Sequence, residues 1–267
     1  MRKIFLTPLL LLAACAKPVQ PNAVGAFEKV SADPVVHGER LAAVVGCTGC
    51  HGADLTGKDW SDELGVLWTA NVTRAAARMN DSDLKRTILS GHQPGGRDLW
   101  DMPSYLFTKL NPDELDDIIA FVRTKPARGE VHPPPELGPV IKEKIAAGTY
   151  RSSVAEVARS GALDVPAAGP EHALARHIVR ATCAECHGID LTGKTDPFDG
   201  KTTPDIRLMA ASYSLADFER LLTTGMASGG RSLGLMSDVA RTRFAHLTGT
   251  ERAAIYAYLR QQGEAAR

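Results

Sequence analysis

Apolar positions along the chain recur at helical rather than strand intervals. Leu115, Ile118, Ile119 and Val122 fall at i, i+3, i+4 and i+7, one stripe of a helix. Asn111-Pro112-Asp113-Glu114 precedes them and supplies an N-cap, a proline at the first helical position and a glutamate three residues after the cap. Thr248-Gly249-Thr250-Glu251 repeats that capping box, with Ile255, Tyr256 and Leu259 behind it. Further helices are predicted at 37–46 and 173–182, where Arg40 and Arg176 match, and at 81–90 and 215–224. Gly91 and Gly225 close the last two, and Ser214 caps the start of the second. No clear run of alternating strands stands out. The pattern predicts an all-α protein with two tandem helical domains, 36–124 and 171–262, and long loops. Between them, 125–170 contains Pro126, Pro133-Pro134-Pro135, Pro139, Pro166 and Pro170. It reads as an extended linker, with a short helix at 152–159.

The two predicted domains repeat one another. His51-Gly52-Ala53-Asp54-Leu55-Thr56-Gly57-Lys58 matches His187-Gly188-Ile189-Asp190-Leu191-Thr192-Gly193-Lys194 at seven of eight positions. Further on, the block from Gly91 to Met102 matches the block from Gly225 to Met236, with Gly-Gly-Arg, Leu and the final Met in place. The offset changes from 136 to 134 and then to 137 at the capping box, so one copy carries small insertions.

Composition narrows the function. Thirty-one basic residues balance 31 acidic ones, so no bulk positive field is available to hold nucleic acid. Aromatic residues make up only 6%, thin for two cores of this size, so another apolar body is expected to fill them. At the N-terminus, Arg2-Lys3 precede an apolar stretch from Ile4 to Ala14 that is too short to span a bilayer. It ends Leu12-Ala13-Ala14-Cys15, which resembles a bacterial lipoprotein lipobox. The resemblance implies a signal peptide at 1–14, lipidation of Cys15 and a tether over 15–35. The mature chain would carry 29 basic and 31 acidic residues, net −2, and sit periplasm-facing in the cell envelope, with the outer membrane the expected anchor site.

The other four cysteines form Cys47-Thr48-Gly49-Cys50-His51 and Cys183-Ala184-Glu185-Cys186-His187. C-x-x-C-H is the attachment signature of c-type haem, and chance at this composition supplies roughly 0.003 such matches. Two thiols at this spacing form thioethers with the vinyl groups on one porphyrin edge, and the adjacent histidine ligates the iron. A redox dithiol would not need histidine twice, two disulfides would leave the histidines unexplained, and a four-cysteine zinc site would join pairs 136 residues apart.

With these motifs the chain resembles a tandem class I c-type cytochrome carrying two covalent haem c groups and their iron. The resemblance covers 36–124 and 171–262. It implies Cys47, Cys50 and His51 at one haem and Cys183, Cys186 and His187 at the other. Met102, followed by Pro103, and Met236 are the expected sixth ligands, each in a loop before the last helix of its domain. Met226 and Met209 lie close enough to be alternatives to Met236, and His92, which aligns with Met226, is the alternative to Met102. Met79, Met209 and Met226 otherwise read as core filler.

Arg97 and Arg231 match either propionate partners or solvated loop positions. Trp100 fits a haem cover or ordinary packing, and Trp60 and Trp68 fit core or loop. Asp54 and Asp190, with Thr56 and Thr192, are expected to build the turn after the proximal histidine. His37, His132, His172, His177 and His246 have no partner motif and are expected on the surface or in the linker. The implied function is single-electron transfer between redox proteins such as a dehydrogenase, an oxidase or another cytochrome. The alternatives are a dihaem peroxidase or thiosulfate-oxidising enzyme, and an electron-accepting subunit of a membrane dehydrogenase.

Overall fold

The computed structural model describes residues 25–266. The lipobox and Cys15 lie outside that range. Among the described residues no helix is long and apolar enough to cross a membrane.

The first domain runs α1 (Pro34–Val44), α2 (Cys47–His51), α3 (Val72–Arg78), α4 (Asp81–Ser90), α5 (Ser104–Phe107) and α6 (Pro112–Arg123). A two-residue ribbon pairs β1 (Gly65–Val66) with β4 (Glu136–Leu137), and another pairs β2 (His92–Gln93) with β3 (Arg97–Asp98). Helix α6 starts as its sequence dictates, with the Asn111 and Glu114 capping box fully formed. Its buried stripe packs on α1 so closely that a Cβ at Gly38 would lie 1.8 Å from the Asp117 carbonyl oxygen.

The second domain repeats this plan with α9 (Ala173–Ala181), α10 (Ala184–His187), α11 (Ile206–Ala211), α12 (Leu215–Thr224), α13 (Leu235–Thr242) and α14 (Gly249–Ala265). Its ribbon pairs β5 (Met226–Ala227) with β6 (Arg231–Ser232). The shifting repeat offset has a structural cause. The first domain has two more residues between its proximal histidine and α3, which make room for β1. The second has a longer helix after Gly234, α13 taking eight residues where α5 takes four.

Residues 125–170 are not an extended linker. They contain α7 (Pro139–Ala146) and α8 (Ser153–Ser160), bury Ile141 and Val165, and lend β4 to the first domain. Their prolines start helices and shape turns rather than keeping the chain extended: Pro139 is the first residue of α7. Helices α3, α7 and α11, each of eight residues or fewer, were not expected, because so short a stretch shows little periodicity.

The domains lock together through buried polar contacts. The side chain of Arg180 on α9 donates to the backbone of Leu163, Leu106, Tyr105 and Gly161 and to the Thr108 hydroxyl. Residues 25–29 thread between the starts of α6 and α14. There the Phe27 N–H donates to Glu114 at 2.8 Å and the Glu28 N–H to Glu251 at 2.9 Å. Each capping-box glutamate also takes a side chain from the other domain, His177 Nε2 at 2.8 Å for Glu114 and the Arg40 guanidinium at 2.8 Å for Glu251. His37 is buried and the His177 side chain is 8% exposed, contrary to the surface positions expected of them.

Candidate haem sites

Both C-x-x-C-H motifs form one short helical turn. Cys47, Cys50 and His51 lie on α2, entered through Gly46 at φ +96°; Cys183 caps α10, which carries Cys186 and His187. All four thiols are free, as thioether formation requires. Burial pushes Cys47 and Cys186 each up to about 11, so neither rests as a thiolate nucleophile at neutral pH.

The histidines are held alike. His51 Nδ1 is 2.9 Å from the Ala70 carbonyl oxygen and His187 Nδ1 is 2.9 Å from that of Pro204. A carbonyl can only accept, so each Nδ1 carries the proton and donates it, leaving Nε2 with its lone pair for iron. Burial lowers both imidazoles below their ordinary value, outweighing the opposing pull of these carbonyls and keeping the rings neutral.

The turn after each histidine is the same at atomic detail. Gly57 N–H donates to the His51 carbonyl at 2.8 Å and Gly193 N–H to the His187 carbonyl at 3.0 Å. Asp54 accepts from the Thr56 hydroxyl and Asp190 from the Thr192 hydroxyl, each at 2.8 Å. Leu55 and Leu191 take left-handed backbone, φ 62° and 64°, to aim fully buried side chains inward. Thr69 and Thr203 then clip the next strand of chain back, donating to the Cys50 and Cys186 carbonyls at 2.8 and 2.6 Å.

Both motifs open on one cavity of about 2150 Å³. Pockets for one small ligand reach about 1,000 Å³, so the space is on the scale of two large cofactors. It explains the low aromatic content: the core is left open where a porphyrin belongs. Cys50, His51, Cys183, Cys186 and His187 border it, as do Met102 and Met236. The residues present fit two haems.

The remaining expected residues divide. Met209 and Met79 also border the cavity, but Met209 is 42% exposed and is not core filler. Met226 does not border it, and neither does His92, which instead lies 2.7 Å from Asp98 on its ribbon. Met236 lies in α13 rather than in a loop, because the extra residues of the second domain extend that helix. Arg97 borders the cavity and contacts Gln93, whereas Arg231 is exposed outside it.

Trp68 stacks on His132 at 4.2 Å, and His132 Nε2 donates to the Thr56 carbonyl at 2.7 Å, so this linker histidine closes one flank. Trp100 stacks on Tyr150, which meets Phe198 of the second domain edge-on at 5.2 Å. Trp60 is half exposed under Lys58. These linker contacts have no local signal in the sequence.

Among curated proteins, none matches the chain. The sequence profile of the Cytochrome c family matches it twice, over 35–126 and 173–263. The chain belongs to the cytochrome c family, as a tandem dihaem c-type cytochrome with one covalently bound haem c in each domain.

Proposed function

We propose that this cytochrome is a lipid-anchored, periplasm-facing carrier that relays single electrons between redox proteins through two His/Met-ligated haems. Each bound haem supplies a one-electron ferric/ferrous couple. The residues fit it: Cys47, Cys50, Cys183 and Cys186 would hold the two groups through thioethers, His51 and His187 would offer Nε2 to the iron, and Met102 and Met236 would offer their sulfurs. A soft thioether favours ferrous iron and raises the potential. The observation that carries this reading is that Met102 and Met236, equivalent in the two repeats, border the cavity shared by both histidines. The lipobox-like Leu12-Ala13-Ala14-Cys15 supports the anchor. Near-neutral charge supports partners recognised by shape rather than by long-range steering.

Carbon monoxide added to the reduced protein tests the ligation, since two six-coordinate haems resist it. Met102→Ala and Met236→Ala should each open one haem to the gas. Ready binding by the unaltered protein would point instead to an enzyme with an open iron. Mass spectrometry of the membrane fraction tests the anchor through an acylated N-terminal Cys15.

A further inference from the structure

Arg243, at the end of α13, is 7% exposed and lies between the two attachment turns. Its Nε donates to the Val44 carbonyl of the first domain at 3.1 Å. Its Nη1 donates at 2.7 Å to Glu185, which lies between the two haem cysteines of the second domain. The guanidinium rests on Gly46, the residue before Cys47, where a Cβ would come within 2.7 Å of Cζ. Nη2 is buried without a partner, and the residue borders the cavity shared by both sites. Its charge acts on Cys47, Cys50, Cys183 and Cys186 alike. One buried cation thus touches both haem-attachment turns.

We infer that Arg243 is an interhaem positioning residue, which holds the two attachment turns together and raises the reduction potential of both haems, with Glu185 opposing it. Reduction of either haem adds one electron and no proton, so a fixed positive charge held away from water favours the ferrous form. In exchange between the haems one ferrous iron is oxidised and one ferric iron reduced, and no bond changes. A cation shared between them moves both couples the same way and leaves the difference between them nearly unchanged. The inference deepens the relay reading.

The test is a spectroelectrochemical titration of the purified dihaem protein, following the two haems separately by electron paramagnetic resonance. Arg243→Met should lower both potentials, Glu185→Gln should raise both, and Arg243→Lys should stay near the unaltered protein. A residue that served packing alone would leave Glu185→Gln without effect. The assignment is overturned if Arg243→Met moves only one haem or neither, or if Glu185→Gln moves them in the same direction as Arg243→Met. Should Arg243→Met fail to accumulate, Glu185→Gln decides, because that side chain is part-exposed and the glutamine oxygen still accepts from Arg243 Nη1. These potentials are read without any partner, so a protein that failed as a relay could still show the paired shifts, and the two failures are read apart.

Discussion

Replacing Arg180 with methionine tests how the domains are joined. The guanidinium donates to the Leu163 and Gly161 carbonyls at 3.0 Å, to that of Tyr105 at 2.9 Å and to the Thr108 hydroxyl at 3.1 Å, and also to the Leu106 carbonyl. Arg180→Met fills similar space but removes every donor. The Thr108 hydroxyl has one proton and can serve the Gly161 or the Tyr105 carbonyl, not both. One of these and the Leu106 carbonyl are therefore stranded, at about 1–3 kcal/mol each. Part of that is recovered because a desolvated cation is no longer held inside, so the net loss is about 2–4 kcal/mol. At about 2–4 °C per kcal/mol for a protein of this size, Tm should fall by about 4–16 °C. Thermal unfolding of the haem-loaded protein, followed by far-ultraviolet circular dichroism, measures it. Arg180→Lys should recover only part of the loss, since one ammonium cannot reach carbonyls spread around a planar fork. A loss for Arg180→Met below about 0.5 kcal/mol, the range of an ordinary surface change, would refute the reasoning.

Three further outcomes follow from the same contacts. Burial alone would raise the Glu114 carboxyl, but the hydrogen bond and charge of His177 and the N–H groups of Phe27 and Asn111 hold it below its ordinary value. The stability this gives is complete above about pH 4.5, the ordinary glutamate value, and is lost as pH falls through the lower folded value. Glu114→Gln should flatten that acid limb of a stability-against-pH curve. Gly46→Ala should cost about 1–2 kcal/mol in chemical denaturation, because φ is +96° and the added methyl meets Arg243. Replacing Cys47, Cys50, Cys183 and Cys186 together by serine should leave a protein with far less than native helicity by circular dichroism. Without the haems, a cavity of about 2150 Å³ takes the place of much of the core.

Local chemistry was the legible part. The C-x-x-C-H motifs, the capping boxes at Asn111 and Thr248, and α4 and α12 with their closing glycines were all readable, because each is written within a few adjacent residues. Illegible were the contacts that depend on what lies far away in sequence. Glu114 and Glu251 read as helix starters, and only the assembled pair of domains gives each a second task, holding a nitrogen donor from the opposite domain. Arg180 and Arg243 carry no motif; what distinguishes them is the set of carbonyls facing them across the interface. The linker differs from its expected form because prolines predict extended chain but do not reveal a strand waiting at Gly65–Val66.

The position of residues 25–29 orders the assembly of the molecule. Phe27 and Glu28 bind carboxylates that are correctly placed only when α6 and α14 have formed and come side by side. The segment can therefore be fully seated only once both helices are in place. Until then the groove between the two helix starts stays open, so protection of the backbone amides of Phe27 and Glu28 marks the moment at which the two halves become one body.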